Sequence, residues 1–259
     1  MPSPTVIVTG AARGIGLATA QLFLDDGWQV AMIDRDGPAL MQAIRELPTG
    51  AYPVICDVSQ QQQVLSMVRE VVIQAGRIDA LINNAGVADF GPIEEHDFAR
   101  WRRVMETNLD GVFLCTQAAL EHLKDTRGAI VNIASISALR ASTLRVAYGT
   151  SKAAVVHLTR QQAVELGEHG IRVNCVAPGP VHTKLAEAVH TPEIIAAYQD
   201  AIPLGRYGTE PEIAEVIKFL CSPLASYVTG QVIAADGGFE AAGIGLPALR
   251  GAAGSVDQS

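Results

Sequence analysis

The chain has 259 residues, of which 49% are hydrophobic and 18% charged, with a formal net charge of -8. That composition excludes a disordered chain, which would be charge-rich and apolar-poor. An acidic balance with no cluster of Lys and Arg also excludes a nucleic-acid partner, whose phosphates need neutralising.

Short β-branched runs alternate with segments of helical period. Thr5 to Val8 reads as a strand ending at Thr9-Gly10, and Ile15, Ala18, Thr19, Leu22 and Phe23 then mark a helix face stopped by Gly27. Val30 to Ile33 is a second strand, followed by a helical stripe at Leu40, Ala43, Ile44 and Leu47 that Pro48 closes. Val54 to Cys56 is a third strand. Ser59 with Gln62 reads as a capping box before the stripe Val64, Met67, Val68 and Val71. Ala80 to Ile82 is a fourth strand, followed by a helix from about Asp97 to Lys124. Ala129 to Ile133 is a fifth strand, with a helix over Tyr148 to Glu168. Arg172 to Val176 is a sixth strand. Thr209-Glu210-Pro211-Glu212 caps a helix bearing Ile213, Val216, Ile217 and Leu220, and Val232 to Ala234 is the seventh strand.

Apolar strands separated by helices predict an α/β fold. The expected form is a single doubly wound Rossmann-type domain, a seven-stranded parallel sheet with helices on both faces. It would occupy residues 1–238, leaving 239–259 as a C-terminal tail. Pro178 to Gly208 shows little strand signal. No apolar stretch reaches the ~18 residues that span a bilayer, and Met1-Pro2-Ser3-Pro4 carries no charged leader. A cytoplasmic protein with no membrane partner is expected. Cys56, Cys115, Cys175 and Cys221 have neither C-x-x-C nor zinc spacing, so no metal is expected.

The first strand-to-helix turn is Thr9-Gly10-Ala11-Ala12-Arg13-Gly14-Ile15-Gly16. Gly10 permits a tight turn, Gly14 close approach of a ligand, and Gly16 close packing of helix on strand. The helix start offers free N–H groups to a pyrophosphate. Gly10, Arg13, Gly14, Ile15 and Gly16 are therefore candidate cofactor contacts. Asp34 ends the second strand near the ~20-residue spacing at which an acid holds an adenosine ribose. A carboxylate there accepts from ribose hydroxyls and repels a 2′-phosphate, which predicts NAD. Arg13 and Arg35 lie nearby and would instead attract that phosphate.

With Tyr148-Gly149-Thr150-Ser151-Lys152 the chain resembles the short-chain dehydrogenases/reductases. The likeness runs from about Thr5 to Gly238 and includes, in the family's order, the glycine turn, Asp57-Val58, Asn83-Asn84-Ala85-Gly86, Asn108, Ser135, Tyr148 with Lys152, and Pro178-Gly179. Tyr148 and Lys152 share a helix face at i, i+4. A phenol with its ordinary pKa near 10 is a poor base near neutrality, and an ammonium one turn away would lower it. The resemblance implies that Tyr148 exchanges a proton with the substrate oxygen. Ser135, whose nearest rival is Ser137, would bind that oxygen, and Lys152 would hold the nicotinamide ribose. Asn108 would fix a water for a proton relay to Lys152.

By the same resemblance, Asp57 and Val58 face the adenine, and Asn84, Ala85 and Gly86 run along the adenosine ribose. Pro178, Gly179, Val181 and Thr183 reach the nicotinamide carboxamide. Residues 179–208 would form a substrate lid. Arg140, Arg145 and His182 are candidate contacts for a small-molecule substrate, and a solvated surface position is the alternative for each. Relatives of this size are usually homotetramers, paired through the long helices. Ile244-Gly245-Leu246-Pro247 would dock near a neighbouring subunit's lid. The expected activity is hydride transfer between NAD and a secondary alcohol or ketone, most readily a sugar, polyol or similar hydroxy compound. The alternatives are a 3-oxoacyl-thioester reductase, whose relatives usually prefer NADPH, and a dinucleotide-sensing scaffold without turnover.

Overall fold

The computed structural model describes residues 3–183 and 190–243. Seven strands form one parallel sheet: β1 (Thr5–Thr9), β2 (Gln29–Asp34), β3 (Ala51–Ile55), β4 (Ala80–Asn83), β5 (Ala129–Ile133), β6 (Arg172–Pro178) and β7 (Val232–Ala235). Their order is β3-β2-β1-β4-β5-β6-β7. The direction of winding reverses between β1 and β4, where a doubly wound sheet opens a crevice at its carboxyl edge.

Alternate residues of each strand feed two cores. On one face Ile7, Leu81 and Ile130 pack with α3 (Gln61–Ala75), α5 (Gly111–Thr126) and α6 (Val146–Leu166). On the other, Val6, Val8 and Ile82 pack with α1 (Gly14–Asp25), α2 (Gly37–Arg45) and a helix over Glu210–Cys221. Both faces are covered, so the inner strands β1, β4 and β5 are buried along their whole length rather than alternating.

The structure changes three of the sequence expectations and adds a helix. Strand β3 begins at Ala51 and contains Pro53 opposite Met32; as the sheet's edge strand it tolerates a residue with no N–H to donate. Ser59 and Gln62 do not form a capping box. The Ser59 hydroxyl donates to Asp57 Oδ1 at 2.8 Å, so α3 starts one residue later, after Gln60. The helix expected over Asp97 to Lys124 is α4 (Phe98–Met105) and α5, joined by a π turn over Glu106–Asp110. The segment after Pro178 holds a helix, α7 (Pro192–Ala201), capped by Thr191. The helix that follows is α8 (Glu210–Cys221), and there the expected cap does form: Thr209 and Glu212 bond reciprocally across its first turn. The Ile244-Gly245-Leu246-Pro247 segment lies outside the described residues.

Candidate active site

The glycine turn sits at the β1 carboxyl end, with Gly10 and Gly14 at φ +65° and +62°. Gly16 meets the turn from the helix side. A Cβ there would collide with the Gly10 carbonyl oxygen and stand 2.6 Å from Asn84 Nδ2. Gly16→Ala is expected to cost about 1–3 kcal/mol, as over-packing against fixed backbone does, and to weaken cofactor binding with it. Urea denaturation and cofactor titration of the variant check both. An added methyl without either effect would contradict this packing.

Thr9 knots the switch point. Its hydroxyl accepts from the backbone N–H of Asn84 and of Ala85, each at 3.0 Å, and donates to the Ile82 carbonyl at 3.2 Å. Asn84 stands against the glycine turn. Its amide donates to the carbonyls of Thr9 and Gly10 at 2.9 and 3.1 Å, so its side chain braces the turn from behind. Val58 is also turned inward, buried against Gly111. Its side chain belongs to the core.

Asp34 stands at the end of β2. Its two carboxylate oxygens accept from Ala12 N–H at 3.1 Å and Asp36 N–H at 3.0 Å, which fixes the group beside the turn. Both neighbouring arginines have acidic partners. Arg13 pairs with Asp36, and Arg35 approaches Asp57 at 3.8 Å. The Arg13–Asp36 contact is exposed, and together with the Ala39 N–H it holds the Asp36 carboxyl below its ordinary range.

Ser135, Tyr148 and Lys152 converge beyond β5 and along the first turns of α6. Asn132 helps seat that helix, donating to Thr159 Oγ1 and Gln162 Oε1 at 2.9 Å while accepting from Asn83 at 2.8 Å. Both groups of the Asn132 amide are thus engaged, which fixes its place between β5 and α6. The Ser135 hydroxyl lies near enough to the Tyr148 phenol to favour its charged form, and it accepts from the Ser137 N–H at 3.2 Å. Ser135 rather than Ser137 therefore adjoins the phenol.

Burial raises the Tyr148 pKa, while the Ser135 hydrogen bond and the Arg145 charge oppose that rise. The ammonium of Lys152 is anchored close to this ring. It lies 5.9 Å from the Tyr148 ring centroid and donates to the Ile133 carbonyl at 2.7 Å. Burial pushes the Lys152 pKa down to about 8.

Asn108 occupies the π turn and is fully buried. Its amide donates to Val87 O at 2.9 Å and Ser151 Oγ at 3.0 Å, and its Oδ1 accepts from Val87 N–H at 2.8 Å. The side chain thus clamps the loop after β4 to α6, and both its N–H donors are occupied by protein. Ser151 in turn donates to the Tyr148 carbonyl at 2.7 Å. Gly86 passes between the two polar groups: a Cβ on it would stand 3.4 Å from both Asn108 Oδ1 and Lys152 Nζ.

The other expected contacts spread along the same edge. Gly179 N–H donates to Ala235 O at 3.0 Å after β6, and Val181 is buried and bridged to Gly208. Thr183 is the last described residue before 190. His182 is exposed, with its ring tilted on Tyr207 at 5.1 Å.

Several neighbours of the site carry no motif. Phe90 lies edge-on to Tyr148 at 6.1 Å, on a loop that Arg100 holds through Asp89 and the Phe90 carbonyl. Tyr198, Tyr207 and His190 form an aromatic cluster opposite, where Tyr207 OH and His190 Nδ1 lie 3.0 Å apart. Only the i, i+3 spacing of Ser151 from Tyr148 offered a signal in the sequence.

The geometry suits a dinucleotide. A glycine turn with room for backbone approach, a fixed carboxylate beside it and a Tyr–Ser–Lys group at one sheet edge provide a cradle and a proton donor. The family model described as enoyl-(acyl carrier protein) reductase matches residues 10–240. The chain is 36% identical over 250 residues to the 2-(S)-hydroxypropyl-CoM dehydrogenase 3 of Xanthobacter autotrophicus, covering 93% of this chain and 98% of that one. It is 40% identical over 234 residues to the meso-2,3-butanediol dehydrogenase of Serratia marcescens, covering 90% and 93%. A solved short-chain type dehydrogenase/reductase from Mycobacterium ulcerans superposes with a TM-score of 0.90 at 31% identity, covering 93% and 91%. From the glycine turn to the end of the sheet, the chain belongs to the short-chain dehydrogenase/reductase family.

Proposed function

We propose that this protein uses NAD to oxidise the secondary hydroxyl of a small compound, a sugar, a polyol or a related molecule. The chain is an oxidoreductase of CH–OH groups by its family. The choice of NAD is carried by one observation: Arg13 and Arg35 each face a carboxylate, and Asp34 is held beside the glycine turn. Those pairs leave little free positive charge for a 2′-phosphate.

Gly10, Arg13, Gly14, Ile15 and Gly16 would hold the pyrophosphate, Asp34 the adenosine ribose, and Lys152 the nicotinamide ribose. When bound, the nicotinamide supplies the hydride acceptor. Ser135 orients the substrate hydroxyl, and Tyr148 takes its proton. The substrate carbon then gives up its hydride and becomes a carbonyl. In reduction the same phenol returns the proton. Ser135 and the Arg145 charge both favour the phenolate against the effect of burial.

Pairing through α5 and α6 into a homotetramer is supported by apolar side chains exposed on them, Phe113 and Val164. No helix of the described residues is long and apolar enough to cross a membrane, and a cytoplasmic location fits that. A rival reading, reduction of a 3-oxoacyl thioester, draws on the acyl carrier in the description of the matching family model; the paired arginines oppose the NADPH it would use.

The cofactor test is Asp34→Ser. Losing the charged acceptor is expected to weaken NADH binding about 10- to 100-fold, the value of hydrogen bonds to an ionised group. NADPH binding should hold or improve, since the repulsion goes too. Fluorescence titration of both cofactors reads the ratio. Tighter NADPH than NADH binding by the unaltered protein would overturn the choice.

A further inference from the structure

The loop between Ser135 and Tyr148 carries two arginines with different surroundings. Arg140 is exposed and ties down the segment that follows β7. Its guanidinium donates to the carbonyls of Phe239 and Ala242 at 2.7 and 3.1 Å and lies over the Phe239 ring. Arg145 is half-buried and turns toward the cleft. Its guanidinium lies 4.9 Å from the centroid of Phe90, the ring that stands edge-on to Tyr148. It reaches Ser137 Oγ at 3.3 Å and Tyr198 OH at 3.4 Å, both neutral oxygens at the long end of hydrogen bonding.

Among the described residues no carboxylate lies within 4.0 Å of Arg145. Asp89, behind Phe90, is already paired with Arg100 and Arg103. A guanidinium has five N–H donors, and a forked pair of them matches a carboxylate or sulfonate. Phe90, Ser137 and Tyr198 hold this one in place before any ligand arrives, which lowers the entropy cost of binding. A partly desolvated cation without a counter-ion gains most from an anion brought to it.

We propose that Arg145 binds a carboxylate or sulfonate on the substrate, so that the substrate is a small hydroxy or oxo acid whose reacting carbon sits by Tyr148. The inference rests on the oxidoreductase reading of the same site and narrows its substrate class. The field of Arg145 is felt across the cleft, where it helps lower the His190 pKa after burial and opposes the rise at Tyr148. The aromatic faces of Phe90 and Tyr198 would flank the carbon chain of the acid.

The probes are butanoate, propane-1-sulfonate and the neutral butanamide, titrated calorimetrically into protein saturated with NADH. The expected result is that at least one of the two anions binds about 10- to 100-fold more tightly than butanamide, the value of a charge-assisted pair. Arg145→Gln should remove that preference, while Arg145→Lys, which keeps the charge and controls for folding, should retain part of it. Comparing butanoate with propane-1-sulfonate tells which acid group fits. Anions that bind no better than butanamide, or a preference that survives in Arg145→Gln, would overturn the proposal. The preceding NADH titration separates the two readings. Absence of NADH binding counts against the cofactor reading, whereas NADH binding without anion preference counts against Arg145 alone.

Discussion

Tyr148→Phe lowers turnover by about 100- to 10,000-fold, the contribution of a positioned acid–base group, while NADH still binds. The substitution removes one oxygen and keeps the ring that packs edge-on to Phe90. The lost hydroxyl sits in a site whose burial already disfavours its charged form, so the fold has little to lose. Steady-state kinetics beside NADH titration read the two effects separately. Ser135→Ala complements the test. The Ser135 hydrogen bond is the largest influence holding the phenol down against burial, so its loss moves the inflection of kcat/KM for alcohol oxidation to higher pH. Turnover that survives in Tyr148→Phe would remove this phenol from the chemistry.

The parts of the fold that repeat locally were legible. Apolar runs of strand length between helical stripes identified all seven strands, because both faces of a parallel sheet are covered and most strand residues are therefore apolar. The glycine turn, Asp34 and the Tyr148–Lys152 spacing were legible for a similar reason, since each is a short-range pattern with a physical requirement. What failed was competition between neighbours. Ser59 was a plausible cap until Asp57 took its hydroxyl. The third strand was expected to start at Val54, one residue after Pro53, because the sequence does not tell an edge strand, which tolerates proline, from an inner one. The π turn at Asn108 adds a residue that a 3.6 period does not register. Helix α7 has no buried residue in the described structure, and its apolar stripe is correspondingly faint. The clasp of Phe90 on Arg145 joins residues far apart in the chain, and no local pattern carries it.

Lys152 gives the second large effect, and it runs in opposite directions for activity and stability. Lys152→Met is expected to lower turnover by about 100-fold or more, because the group proposed to hold the nicotinamide ribose beside Tyr148 is gone. The same change should stabilise the empty protein near neutral pH. The Lys152 ammonium is 4% exposed, and burial lowers its pKa from 10.5 to about 8. A buried lysine whose folded pKa is depressed costs stability fully below about pH 8, and that cost fades as pH rises toward 10.5. Between those values the unfolded chain holds more protons than the folded one, so the stability of the unaltered protein rises with pH. Methionine fills a similar volume without a charge, although the Ile133 carbonyl loses the donor 2.7 Å away. The net gain near neutrality is on the order of 1–2 kcal/mol, the desolvation relieved less one hydrogen bond. Urea denaturation of both proteins between neutral pH and about 10.5 tests the sign: the two stabilities should differ most at the low end and converge at the high end. Curves that run parallel across that window would mean that the lysine does not titrate there. A gain in stability on removing the lysine would mark it as held at a cost to the fold, as its proposed cofactor role requires.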